Sequence, residues 1–120
     1  MIDLDAIDPG RLPEESVIAA ITLAELAAGP HAARDDAERG RRQDRLQWVA
    51  ENVDPLAFDA AAARAYGRVY AATKAAGRTS RARLADLLIA ATAAAHGLPL
   101  YTRNAADFTG LEGVVEVVEV

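Results

Sequence analysis

Apolar positions in this chain form either short continuous runs or helically spaced patterns, and the two alternate from residue 17 onward. Val17–Ala19 is a continuous run that predicts a short buried strand. The spacing after it predicts a helix that opens near Thr22 and stops at Gly29-Pro30. The charged segment 31–53 predicts a surface helix that Asp54-Pro55 ends. The apolar side of this surface helix comprises Leu46, Trp48 and Val49.

The second half of the chain repeats the alternation. Residues 59–77 predict an amphipathic helix ended by Gly77, and residues 84–95 predict an almost wholly apolar helix closed by His96-Gly97. The first of these helices turns Tyr66, Val69 and Tyr70 inward. Strands are expected at 98–102 and 113–120. Alternating strands and helices predict an α/β fold with a mainly parallel sheet covered on both faces.

Composition restricts the fold and the chemistry. The chain has 120 residues, of which 52% are hydrophobic, so residues 1–120 are expected to form a single domain with one core. No apolar run approaches the roughly 20 residues of a membrane span, and we expect a cytoplasmic protein without a membrane partner. The chain has no cysteine, which excludes disulfides and thiolate metal sites and favours hard cations with oxygen ligands.

Charge is unevenly distributed along the chain. The net charge is −5, yet residues 71–83 carry Lys74, Arg78, Arg81 and Arg83 and no acid. The three arginines precede a predicted helix, where positive side chains oppose the helix dipole. They therefore indicate an anionic partner such as a phosphate backbone. The alternative is a solvated basic flank with no ligand.

Asp86 is the one acid in the apolar stretch 79–99. An ionised carboxylate in a buried helix costs several kcal/mol unless it is paired or binds a cation. The alternative is that Asp86 lies in the first helical turn, where the dipole and Arg81 or Arg83 stabilise it. Both interpretations stay open on these residues alone.

Three further polar residues follow predicted strands. Glu25 fits a capping box with Thr22, and Asn104 fits an N-cap before Asp107, so each has a structural explanation. In a parallel sheet, however, Glu25, Asp86 and Asp107 are expected at one edge, beyond the carboxyl ends of the strands. Clustered carboxylates repel one another, and a divalent cation is the usual means of neutralising them.

Three stretches together resemble the PIN-domain ribonucleases of the VapC toxin type. They are "AITLAELAAGP", "GRTSRARLADLLIAATAAAHGLPLYTRNAADF" and the final "VVEV", and they run in family order from about residue 17 to residue 120. The resemblance implies a doubly wound α/β/α sandwich. It also implies an Mg²⁺- or Mn²⁺-dependent endoribonuclease, the toxin of a type II toxin–antitoxin pair, that forms a homodimer and is inhibited by a cognate VapB-type antitoxin.

The resemblance also implies roles for individual residues. Glu25, Asp86 and Asp107 match the second, third and last metal-binding acids, and Thr102 and Asn104 match the polar residues beside the last acid. Arg78, Arg81 and Arg83 are expected to contact the RNA backbone without reading its sequence.

The chain departs from the family at its start. Members begin with a strand that ends in the first metal-binding Asp, and this motif is absent here, so we expect the first strand to be missing or replaced. We consider three explanations in order of preference. The start codon is assigned too late, the gene is a natural truncation, or residues 1–7 fill the vacant strand and offer Asp3 or Asp5 as a substitute acid.

Two other functional hypotheses accompany the ribonuclease. A catalytically impaired PIN domain would still dimerise or bind the antitoxin, and the missing first acid favours it. A phosphoacceptor receiver domain is also doubly wound, but its chemistry usually needs a lysine at a strand end, and Lys74 lies in a predicted helix.

Overall fold

The computed structural model describes residues 1–2 and 17–120, which contain both strands and helices. The strands are β1 (Val17–Ala19), β2 (Asp54–Leu56), β3 (Leu100–Thr102) and β4 (Val117–Glu119). The α-helices are α1 (Ala20–Ala28), α2 (Asp36–Asn52), α3 (Ala60–Ala75) and α4 (Leu84–Ala95). Short 3₁₀ helices at Gly29–Ala32 and Ala105–Phe108 follow α1 and β3.

Two parallel strand pairs form the sheet, and the first two residues of the chain lie between them. β1 pairs with β2, and β3 pairs with β4. The Ile2 N–H donates to the Val17 carbonyl at 2.9 Å, and the Tyr101 N–H donates to the Met1 carbonyl at 2.8 Å. Ile2 and Tyr101 form a parallel bridge. The spatial order is therefore β2, β1, residues 1–2, β3, β4.

Met1 and Ile2 occupy the centre of the sheet. Met1 belongs to the larger apolar core and Ile2 to the smaller one, so their side chains alternate across the sheet as in a strand. Asp3 and Asp5 lie outside the described residues.

Helices cover both faces of the sheet. The larger core lies between the sheet and the pair α3 and α4, and includes Val69, Ile89, Leu100, Phe108 and Leu111. The smaller core lies under α1 and α2 and comprises Ile2, Ile18, Val49 and Val53, with Leu23, Leu26 and Tyr101 against it. Neighbouring residues Ile18 and Ala19 point into different cores, which is the alternation of a strand buried on both faces. The doubly wound α/β fold is confirmed.

Two expectations about local structure are wrong. The strand β2 was not expected, because Asp54-Pro55 predicts only a helix end; proline is tolerated there since β2 pairs on one side only among the described strands. Tyr70 is 46% exposed rather than turned inward. The buried stripe of α3 runs through Ala62, Ala65, Val69 and Thr73, and Tyr70 lies about 100° around the helix from Val69.

Two further details differ from the sequence prediction. Trp48 is 36% exposed, because the buried side of α2 is carried by Val49 instead. α1 begins at Ala20, two residues before the predicted start, since β1 runs directly into it. Across the described ranges, no helix combines the length and apolarity needed to cross a membrane.

Candidate metal and RNA site

Asp86 lies in the first turn of α4 and is 5% exposed. Arg83 is the residue just before this helix, and its Nη1 atom is 3.8 Å from Asp86 Oδ1. Asp86 therefore lies where the structural alternative predicted it, in the first helical turn and beside an arginine.

Glu25 lies on α1 and meets the same arginine. The Arg83 Nη2 atom donates to Glu25 Oε2 at 2.8 Å. The capping box with Thr22 is wrong, because α1 has Ala19 at its N-cap position and no side chain caps it. Glu25 therefore does not cap α1, and its side chain contacts Arg83 at the start of α4. The structure brings Glu25 and Asp86 together around one guanidinium, and we call these three residues the Arg83 cluster.

Thr22 adds an unexplained polar atom one turn before Glu25. Its side chain is buried, with 4% exposure, and its Oγ1 has no hydrogen-bond partner, unlike every other buried side-chain nitrogen or oxygen in the described ranges. Residues three apart on a helix share a face, so Thr22 and Glu25 are neighbours on α1. Sequence reasoning missed this feature, although the pattern Thr-x-x-Glu in an apolar helix was its signal.

Asp107 lies on the 3₁₀ helix Ala105–Phe108, just beyond the carboxyl end of β3, and is exposed. Among residues 1–2 and 17–120, no three His, Asp or Glu side chains are grouped so that they could hold a metal ion. The expected cluster of three acids is therefore not complete within these residues. The assignment of the acids as metal ligands stays a prediction.

Thr102 and Asn104 shape the turn that precedes Asp107. Thr102 is fully buried at the end of β3, and its Oγ1 accepts the backbone N–H of Asn104 at 3.0 Å. Asn104 occupies the N-cap position as predicted, but its side chain makes no capping bond. Its carbonyl accepts the Asp107 N–H at 2.9 Å instead. The two polar residues thus fix the direction of the chain into the turn that carries the last acid.

The predicted RNA-contacting arginines differ in their surroundings. Arg78 donates from Nη1 to the Thr109 carbonyl at 3.1 Å, and so connects the α3–α4 segment to the loop after Asp107. Arg81 is exposed. Arg83 belongs to the Arg83 cluster. All three lie on the same segment, which brings positive charge next to the acids.

Glu38 is a buried acid that sequence reasoning did not single out. It forms ion pairs with Arg34, which precedes α2, and with Arg42 on α2, and Arg42 also donates to the Gly29 carbonyl at 2.8 Å. The backbone N–H and the side chain of Arg34 hold the pKa of the Glu38 carboxyl below its usual value. This network joins α2 to the 3₁₀ helix after α1, and we assign it a structural role.

The donor set around Arg83 suits a hard divalent cation. Two carboxylates from different helices contact the positively charged guanidinium of Arg83. The buried hydroxyl of Thr22 lacks a partner one turn away. Oxygen ligands of this kind are those that Mg²⁺ and Mn²⁺ prefer.

Comparison with known proteins gives consistent matches. The family model of the PIN domain matches residues 4–111. Ribonuclease VapC5 of Mycobacterium tuberculosis is 36% identical over 116 residues, which cover 95% of this chain and 83% of that protein. Ribonuclease VapC8 of the same organism is 38% identical over 82 residues, which cover 68% of this chain and 72% of that protein.

Solved structures show the same similarity. The crystal structure of VapBC-5 from Mycobacterium tuberculosis, a member of the VapBC family of toxin-antitoxin systems, matches with a TM-score of 0.84 and 34% identity. The match covers 99% of this chain and 96% of that chain. FitAcB from Neisseria gonorrhoeae matches with a TM-score of 0.66 and 27% identity, over 97% of this chain and 80% of that chain.

Proposed function

We propose that this chain, which belongs to the PIN-domain family and within it to the VapC ribonucleases, is the toxin of a type II toxin–antitoxin pair and hydrolyses RNA phosphodiester bonds. The observation that carries this proposal is the meeting of Glu25 and Asp86 around a single positive charge. A 36% identical ribonuclease that aligns with 95% of the chain supports it.

Glu25, Asp86 and Asp107 are the proposed ligands of Mg²⁺ or Mn²⁺. When bound, such an ion activates water and stabilises the charge that develops on the phosphate. Asp86 is buried and supplies a fixed negative charge, whereas the Glu25 side chain is 40% exposed. Glu25 is therefore the acid placed to orient the attacking water or take its proton. Thr102 and Asn104 direct the chain toward Asp107.

Asp3 or Asp5 is our proposed substitute for the first acid, because both follow Met1 and Ile2, which lie in the centre of the sheet.

Arg78, Arg81 and Arg83 are the proposed contacts to the RNA backbone, because guanidinium groups pair with phosphate oxygens in a fixed, forked geometry. The proposed protein partner is a VapB-type antitoxin, since matched structures are VapBC complexes of toxin and antitoxin. We also propose a homodimer, on the family resemblance.

A catalytically impaired binding module is the second candidate function. It is favoured by the absence, within residues 1–2 and 17–120, of a three-acid group that could hold a metal ion. Such a module would bind the antitoxin or a second copy of the chain but would not cut RNA.

The test is cleavage of a panel of structured RNAs with Mg²⁺ or Mn²⁺ by the parent, Asp86→Asn and Asp44→Asn. Asp44 is exposed on α2 and controls for the loss of one negative charge. We expect Asp86→Asn to fold and lose cleavage, and Asp44→Asn to retain it. An active Asp86→Asn protein would refute the assignment of this acid. A parent that neither cuts RNA nor gains thermal stability from Mn²⁺ would favour the binding module.

A further inference from the structure

Arg83 occupies a position that is unfavourable for a cation. It is the N-cap residue of α4, with an extended backbone at φ −77° and ψ 135°, and its side chain makes no capping bond. The N-terminal end of a helix carries partial positive charge, which repels a guanidinium. Nearby carboxylates must therefore compensate for this placement.

Two carboxylates from different helices provide that compensation. Arg83 Nη2 is 2.8 Å from Glu25 Oε2, 58 residues earlier in the chain, and Nη1 is 3.8 Å from Asp86 Oδ1. In a protein without a divalent ion, this charge reduces the repulsion between Glu25 and Asp86. Arg83 thus contacts both acids at once.

The exposure of the three side chains shows which of them can leave. The Arg83 side chain is 56% exposed and the Glu25 side chain 40%, whereas that of Asp86 is 7% exposed. Arg83 has the most exposed side chain of the three, and a long side chain of this kind keeps its charged group near solvent. Asp86, in contrast, is fixed by burial.

We propose that Arg83 is an internal counter-cation, a positioning residue that a divalent ion displaces from Glu25 and Asp86 and that then binds a phosphate of the RNA. This inference rests on the proposed function. One guanidinium and one divalent ion compete for the same carboxylate oxygens, so binding the ion releases Arg83. The released guanidinium has a fork of donors that matches a phosphate, and it lies beside Arg81 on the basic segment.

Calorimetric titration of the full chain with Mn²⁺, without RNA, tests the competition. We expect Arg83→Gln to bind Mn²⁺ roughly two- to fivefold more tightly than the parent, the factor that corresponds to the loss of one exposed ion pair. Arg81→Gln removes the same charge two residues away and is expected to bind as the parent does. Arg83→Lys, whose point charge cannot span two carboxylates, is expected to lie between the parent and Arg83→Gln.

Fluorescence anisotropy with a labelled RNA tests the second step. Ca²⁺ replaces Mn²⁺ there, as an oxygen-binding divalent ion. We expect Ca²⁺ to increase the RNA affinity of the parent more than that of Arg83→Gln, because only the parent releases an arginine. Without a divalent ion, the two proteins are expected to bind RNA equally, since Arg83 is then held by the acids.

The outcomes separate this inference from the proposed function. If the parent binds Mn²⁺ and Arg83→Gln binds it no more tightly, Arg83 is not a competitor and the inference alone fails. If neither protein binds Mn²⁺, the metal site fails and the inference fails with it. Should Arg83→Gln not fold by circular dichroism, Arg83→Lys decides in its place, and an affinity equal to or below that of the parent overturns the inference.

Discussion

Gly110 is a position at which one methyl group should destabilise the fold measurably. Its φ angle is +93°, and a Cβ atom built there lies 2.6 Å from the Ala76 Cβ at the end of α3. Real Cβ atoms do not approach so closely, and Ala76 has no flexible side chain that could move aside. The loop that follows Asp107 must therefore shift away from α3 in Gly110→Ala.

The magnitude follows from two contributions. A residue with a Cβ in the left-handed region costs about 1–2 kcal/mol relative to glycine. Overpacking against a fixed neighbour adds about 1–3 kcal/mol. We expect Gly110→Ala to lower the free energy of unfolding by about 2–5 kcal/mol. A loss of this size in a chain of 120 residues corresponds to a melting temperature lower by roughly 10 °C or more.

Gly77→Ala is the matched control for this prediction. Gly77 also has a positive φ, +69°, but nothing lies within 4 Å of its built Cβ. It therefore carries the backbone contribution without the steric one, and about 1–2 kcal/mol is expected. Urea unfolding of both variants at pH 7 measures the difference. If Gly110→Ala costs no more than Gly77→Ala, the close approach to Ala76 does not constrain the loop, and the reasoning fails.

Three other predictions concern buried and capping groups. Thr22→Val should raise the free energy of unfolding by up to about 1 kcal/mol, because it replaces an unpaired buried hydroxyl with a methyl group; a loss measured by thermal denaturation would contradict this. Hydrogen bonding from the Ala62 N–H lowers the pKa of Asp59 below its usual 3.8, so its stabilisation is present above that pH and lost as the pH falls through the lower folded pKa. Asp59→Asn keeps the cap at pH 7. It should lose less stability than the parent between about pH 4 and about pH 2, because the parent carboxylate is protonated below its usual pKa of 3.8. Glu38→Gln should lower the melting temperature at pH 7, since it removes the partner of Arg34 and Arg42, and the difference from the parent should shrink as the pH falls below the usual Glu38 pKa of 4.5.

Local patterns made much of the fold predictable from the sequence. The strand Val17–Ala19 and the helix Leu84–Ala95 lie where continuous apolar runs and glycine stops place them. β2 was missed because three residues with a central proline carry no alternation. A place for Met1 and Ile2 in the sheet was one of three explanations left open by the sequence, which does not show a pairing with a partner about a hundred residues away in the chain.

The candidate site was predictable in its members but not in its arrangement. Asp86 stands out because it is the one acid in an apolar helix, and Glu25 follows a strand into a helix. Arg83 contacts Glu25, which lies 58 residues earlier in the chain, and no periodicity in the sequence predicts a contact over that separation. The pattern Thr-x-x-Glu draws attention to Thr22, but a sequence does not show that its buried hydroxyl finds no partner.

The place of Met1 and Ile2 in the sheet also determines when the sheet can be completed. Their partner in β3, Tyr101, leaves the ribosome about a hundred residues later, which at ordinary rates of translation is roughly 5–20 s. Until then β1 can pair with β2, but the two halves of the sheet cannot join. The nascent protein therefore keeps an open strand edge until β3 has emerged, and the Arg83 cluster, whose acids lie on α1 and α4, cannot form before α4 has emerged. Any activity of this site thus depends on segments that are synthesised long after the first strand.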